Sequence, residues 1–219
     1  MLELWLDSAD PEDVKAALDL GIISGVTTNT TKILQTGRNF KDVIDEICRL
    51  MGDMPVSVMA AEGEYKDEET IVRVGRKLVE WHPNIVVKIP PTVEGIKAIK
   101  RLSEIGIKTN TTLVFTPLQA LLAANAGATY VSPFVGRLDR IGHSGMELVE
   151  NIKSIFENYG LKTKIVVAAV RHPLHVLEGA LMGADIATMT LDLLQMLYRH
   201  PLTDEGLRIF LEDWRKVPK

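Results

Sequence analysis

The stretch NIVVKIPPTVEGIKAIKRLSE, residues 84–104, decides the fold. Residues 84–89 form a nearly unbroken apolar run, rich in β-branched side chains and interrupted by Lys88. A strand with one wet face alternates apolar and polar residues; one apolar throughout is covered on both faces, as in a parallel sheet. Two prolines, Pro90 and Pro91, then close the run. From about 93 to 104, Ile96, Ile99 and Leu102 recur at helical spacing. A buried strand followed by an amphipathic helix is the repeating piece of a parallel α/β fold.

The same unit recurs on both sides. Upstream, apolar runs occupy residues 2–6, 22–28 and 55–61. The first leads into Asp10-Pro11-Glu12-Asp13, an N-cap acid, a proline at the first helical position and acids at the positive end of the dipole. That helix is expected to end near Gly21. A polar loop follows the second run before a helix over about 40–50, and a charged segment follows the third before a helix to about 80. Downstream, runs at 109–115, 128–132, 164–170 and 185–189 each precede a helix. These helices are expected from Thr116-Pro117 to Gly127, over about 145–158 after a Gly-containing loop, after Pro173, and to about 198. A last helix spans roughly 204–215. Eight such units predict a single-domain (β/α)8 TIM barrel over residues 1–219, with an extra C-terminal helix. A doubly wound open sheet is the alternative; it loses weight because no G-x-G-x-x-G follows the first run and no Walker A sequence is present.

Composition narrows the function classes. The chain has 219 residues, 46% hydrophobic and 25% charged, enough to bury a core without staples. Cys48 is the only cysteine, which excludes an internal disulfide and a Cys-based metal cluster. A net charge of -4 argues against binding nucleic acid through bulk charge. No apolar run is long enough to span a bilayer, so no membrane association is expected. The start MLELWLDSAD lacks the basic and apolar regions of a signal peptide, so a cytoplasmic location is expected.

In such a barrel the active site lies at the C-terminal ends of the strands. Polar residues recur there: Asp7, Thr27, Thr28, Asn29, Lys88, Asn110, Thr112, Ser132, then Arg137 and Arg171 just beyond strands six and seven. Two readings compete for Lys88. As a strand-end lysine it snorkels to water. As a buried one it loses hydration, its pKa falls, and the free amine attacks a ketone to form a Schiff base. Asp7 is either a loop acid near a helix start or a carboxylate that orients the amine or shuttles a proton. Asn29 holds a turn or a ligand. Arg137 and Arg171 are surface charges or a clamp for a phosphate, whose oxygens guanidinium matches in bidentate fashion. His172 and His175 lie three apart with no third ligand evident, so no metal is expected; a helix-start or core histidine is the better reading.

Several stretches together resemble one family. They are GVTTN at 25–29, VVKIP at 86–90, GIKTNTTLVF at 106–115, AGATYVSPFVGRLD at 126–139, RHPLHVLEGALMGADIATM at 171–189 and HPLTDEGLRIFLEDW at 200–214. The sequence resembles the small transaldolase family, which includes the fructose-6-phosphate aldolases. The resemblance implies a cofactor-free, metal-free barrel acting on sugar phosphates in the pentose phosphate pathway. It also implies a homo-oligomer, pentamer or decamer, with the C-terminal helix reaching a neighbour. By the same resemblance Lys88 forms the Schiff base and Asp7 transfers protons. Thr112 positions the catalytic water. Thr27, Asn29, Asn110 and Ser132 contact the sugar, and Arg137 and Arg171 bind the phosphate.

Departures from the family pattern accompany it. The family's strand-three Glu falls on Met59 by direct matching, or on Ser57 if the match shifts; Glu62 is the nearest replacement acid. The tyrosine of the aldolase branch is Phe134, the serine before the strand-seven arginine is Ala169, and the proline after Asn29 is Thr30. The leading expectation is a class I transaldolase moving a dihydroxyacetone unit from fructose 6-phosphate or sedoheptulose 7-phosphate to an aldose phosphate. The alternatives are a lyase releasing dihydroxyacetone, an enzyme for a ketose with another anionic tail, and a non-catalytic barrel that binds sugar phosphate.

Overall fold

The computed structural model describes residues 1–60, 65 and 67–218. Eight parallel strands close into a barrel in chain order. They are β1 (Glu3–Asp7), β2 (Ile23–Thr27), β3 (Val56–Met59), β4 (Ile85–Ile89), β5 (Thr109–Val114), β6 (Tyr130–Pro133), β7 (Lys164–Val167) and β8 (Ile186–Met189). Pairing of β1 with both β2 and β8 closes the ring and excludes the open sheet. The helices are α1 (Pro11–Asp19), α2 (Thr30–Thr36), α3 (Phe40–Met51), α4 (Glu68–Trp81), α5 (Val93–Glu104), α6 (Pro117–Asn125), α7 (Val135–Asp139), α8 (Gly145–Tyr159), α9 (Pro173–Leu181), α10 (Leu191–Met196) and α11 (Pro201–Trp214). Among the described residues no helix is long and apolar enough to cross a membrane.

Side-chain parity builds the barrel in two shells. Odd and even strand residues point to opposite faces. In β4, Ile85, Val87 and Ile89 join the large cluster shared with the surrounding helices. Val86 joins Trp5, Tyr130, Val166 and Ile186 in a separate inner cluster. The Trp5 and Tyr130 rings meet edge to face at 5.2 Å. Gly25 makes room for that indole: a Cβ there would lie 2.4 Å from its Cε2. Two residues further along each strand, the same inward parity brings up Asp7, Thr27, Lys88, Ser132 and Thr188. The apolar layer is therefore the floor on which a polar layer stands.

Two short helices stand where the sequence reads as loop. Helix α2 follows Asn29, whose side chain accepts from the Lys32 N–H at 3.0 Å, and it ends on Gly37 at φ 64°. Helix α7 has no side-chain cap. Strand β7 stops at Val167 rather than 170 because Ala169 takes a left-handed backbone, φ 57°. Leu113 does the same in β5, where the register with β6 shifts. Such a conformation costs a non-glycine residue about 1–3 kcal/mol and collects at functional sites. Both residues line the cavity described next.

Candidate active site

A cavity of about 400 Å³ opens at the C-terminal ends of the strands. Its size suits a small ligand. Asp7, Thr27, Asn29, Lys88, Thr112, Ser132, Arg137 and Arg171 all line it. Of the ten residues expected at the site, these eight converge. Asn110 stands one layer deeper: its amide donates to Ser57 Oγ at 3.0 Å and accepts from Ser132 Oγ at 2.7 Å. It holds Ser132 from behind. Glu62 lies outside the described residues.

Lys88 is 5% exposed, and its Nζ donates to the Thr28 carbonyl at 2.9 Å. Burial lowers its pKa to about 8; Asp7 pulls it back up and Lys32 pushes it further down. The snorkelling reading fails, because this amine is inside. Asp7 accepts from Thr27 Oγ1 at 3.0 Å, and Thr27 also shares a hydrogen bond with Thr188 Oγ1 at 2.7 Å. The other carboxylate oxygen pairs with Lys32 Nζ at 3.6 Å.

Lys32 was not singled out by sequence reasoning. It sits on α2, in the stretch read as loop, and a short-helix signal (Asn29 before Thr30-Thr31-Lys32, Gly37 after) was available. Thr188 was missed too, although its parity with Ile186 in β8 announces it. In a closed ring of eight, β2 and β6 are opposite. Lys32 follows β2 and Arg137 follows β6, so they face one another across the mouth, with Lys88 on β4 between.

Strand β3 resolves the register left open by the sequence. Met59 pairs with Lys88 and lines the cavity, whereas Ser57 is fully buried against Asn110. On the direct match, then, a thioether faces the cavity where a carboxylate is expected. Tyr65 reaches the same sulfur, Oη to Sδ 3.9 Å.

On the far wall Arg137 lies over the Phe134 ring, 5.0 Å from its centroid. Arg171 packs its stem against Gly136, where a Cβ would lie 2.6 Å from Arg171 Cγ. Ala169 also lines the cavity and carries a methyl group, not a hydroxyl. The histidines divide as expected in role: His172 is the N-cap of α9 and His175 is buried. The expectation that no third ligand stands near them is corrected, since Asp139 joins them with ligand atoms within 4.8 Å of one another. The donor set still does not suit a metal. His175 Nδ1 accepts from the Arg171 N–H at 3.3 Å and its Nε2 meets Asp139 at 2.9 Å, which leaves no free lone pair on the ring.

Comparison with known proteins shows the family. Residues 4–219 match the transaldolase/fructose-6-phosphate aldolase family. A probable transaldolase of Aquifex aeolicus (strain VF5) is 56% identical over 218 residues, covering 100% of this chain and 99% of that protein. Probable transaldolases of Dictyoglomus turgidum and Geotalea uraniireducens are 56% and 52% identical, with full coverage of both partners.

Proposed function

Since the chain belongs to the transaldolase/fructose-6-phosphate aldolase family, we propose that it is a Schiff-base transaldolase whose nucleophile is Lys88. It is an enzyme that transfers aldehyde or ketone groups rather than a barrel that only binds. One observation carries the mechanistic reading: a buried amine, a carboxylate and two arginines line one cavity of ligand size.

In this reading the phosphate of a ketose phosphate sits at Arg137 and Arg171, which sets its C2 carbonyl at Lys88. The free amine adds to C2, and loss of water gives the iminium. Asp7 takes the C4 hydroxyl proton as the C3–C4 bond breaks. The C3–C4 pair becomes the C2–C3 double bond of an enamine while the C=N pair moves to nitrogen, and an aldose phosphate leaves. The enamine then attacks the carbonyl carbon of an acceptor aldose phosphate, whose oxygen takes the proton back from Asp7, and water adds to the regenerated iminium to release the new ketose and the free amine. Thr112, which lines the same cavity as the amine, holds that water; Thr27, Asn29 and Ser132 hold hydroxyls, with Asn110 orienting Ser132. Fructose 6-phosphate or sedoheptulose 7-phosphate fits as donor, in the pentose phosphate pathway and the cytoplasm. With fructose 6-phosphate as donor, product formation is expected to need erythrose 4-phosphate; equal turnover without acceptor would make the protein a lyase instead. Ala169 favours a second reading, a ketose with another anionic tail, because one hydroxyl donor to the phosphate is gone.

Lys88 also sets a pH dependence. Only the free amine attacks, so adduct formation rises with pH through about 8 and then levels. Removing the positive charge of Lys32 raises the pKa of Lys88. Lys32→Met is therefore expected to move the rise to higher pH, read as the pH profile of reductive trapping. An unmoved midpoint would separate Lys32 from the amine.

Helix α11 supports the oligomer. None of its residues is buried, and Leu202, Leu207, Phe210 and Trp214 are exposed. An apolar face of this kind suits a partner. We propose that it packs on a neighbouring copy in a pentamer or decamer. Sedimentation should give five or ten times the 24.3 kDa of one chain, and a monomer would refute it.

A further inference from the structure

We propose that Asp139 and His175 are positioning residues that fix Arg171 relative to Arg137. The inference rests on the reading of the two arginines as the phosphate clamp. Nothing regular holds Arg171 in place. It follows the left-handed Ala169 and precedes α9, outside any strand or helix. Its backbone N–H is instead taken by His175 Nδ1, at 3.3 Å.

That bond dictates the rest. An imidazole that accepts at Nδ1 carries its proton on Nε2. Nε2 faces Asp139 Oδ2 at 2.9 Å, so the carboxylate holds the ring in the tautomer that Arg171 needs. Asp139 is fixed in turn, because its Oδ1 accepts from the Gly145 N–H at 2.8 Å, where α8 begins. Asp139 is also the last residue of α7, the helix that carries Arg137. One buried side chain thereby connects the two arginine-bearing segments.

The neighbours keep the ring neutral. Burial lowers the pKa of His175, and His172, its ring tilted against it with centroids 3.7 Å apart, lowers it further; Asp139 and Glu178 act the other way and do not win. Gly136 completes the fit from the α7 side, where any Cβ would collide with the Ala169 carbonyl and the Arg171 stem. The separation of the two guanidinium groups is thus held from both segments. A phosphate needs that separation kept, since small displacements of a binding group weaken its hold.

The test is steady-state kinetics on the full chain, with inorganic phosphate as a competing probe and Arg171→Gln as reference. His175→Phe should raise KM for the ketose phosphate and the inhibition constant of phosphate about tenfold, with kcat changed less than about twofold. His175→Asn places an amide oxygen where Nδ1 was and should recover most of the loss. A structural role alone would not give this split or this rescue. Should the Phe variant fail to fold, Asp139→Ala, at an exposed position, carries the test in the same direction. The proposal is overturned if Arg171→Gln raises both constants while the His175 and Asp139 variants leave them unchanged. It is also overturned if Asn and Phe lower kcat and Tm alike without touching KM. If Arg171→Gln itself changes neither constant, the phosphate clamp is wrong and the positioning pair falls with it.

Discussion

Lys88→Met is expected to lower transfer activity by at least about 10⁴-fold and to leave the protein as stable as before, or more so. The two halves of that expectation have one cause. Folding moves the Lys88 pKa from 10.5 to about 8, and burial is the main reason. At 1.36 kcal/mol per pKa unit, the buried ammonium costs the fold on the order of 3 kcal/mol at neutral pH. That cost is full below about pH 8, shrinks as pH rises toward 10.5 and is absent above. The opposing gain is one hydrogen bond, to the Thr28 carbonyl, about 1 kcal/mol net or somewhat more for a charged donor. Methionine fills a similar volume with no charge to desolvate. At neutral pH the variant should melt at or above the parent's Tm, and the gap should narrow at alkaline pH. A large fall in Tm would mean that Lys88 is a structural cation, and a retained activity would remove it from the chemistry.

Asp7→Asn is expected to lower kcat by about 10²- to 10⁴-fold, the usual worth of a positioned proton acceptor. The amide keeps the shape and can still accept from Thr27 Oγ1, so the fold should be undisturbed. It cannot take a proton from the C4 hydroxyl. The substitution also changes the field at Lys88. Asp7 raises the amine's pKa and Lys32 lowers it. Without the carboxylate, Lys32 acts unopposed, so the pKa of Lys88 falls. Adduct formation should then begin at lower pH, the reverse of Lys32→Met, even as C–C cleavage slows. Trapping across pH for both variants checks the opposite signs. A kcat within tenfold of the parent would show that another base does the work of Asp7.

Much of this was legible in the sequence because it depends on period. The run 84–89 must be buried on both faces, and its parity places Val86 and Lys88 on the same side. The inner cluster of Trp5, Val86, Tyr130, Val166 and Ile186 extends that rule around the ring, and the polar residues two positions later follow from it. What escaped depends on local backbone or on tertiary approach. Helices α2 and α7 are short and lie in polar or glycine-containing segments, so periodicity had nothing to act on. Lys32 was hidden by the first of them. The left-handed Leu113 and Ala169 contradict the preference of their side chains, and no residue type signals them. Asp139 and His175 belong to different βα units and meet only once β6 and β7 pair. Met59 was legible as a departure, but its place beside Lys88 needed the strand register.

The departures fall on some parts of the cavity and not on others. The amine, the Asp7 carboxylate and the two arginines line one cavity although Met59 and Ala169 stand where the family resemblance implies a carboxylate and a hydroxyl. Imine formation requires only the first set. In the proposed mechanism, proton delivery to and from water is the step that Met59 would affect.

Borohydride reduction in the presence of fructose 6-phosphate, followed by intact mass and peptide mapping, tests the central claim most directly. The account predicts one stable adduct on Lys88 with the mass of a reduced three-carbon unit, which requires both imine formation and C–C cleavage. An adduct on a different lysine, or no adduct from folded protein across fructose 6-phosphate and sedoheptulose 7-phosphate at pH 8 and above, would contradict it.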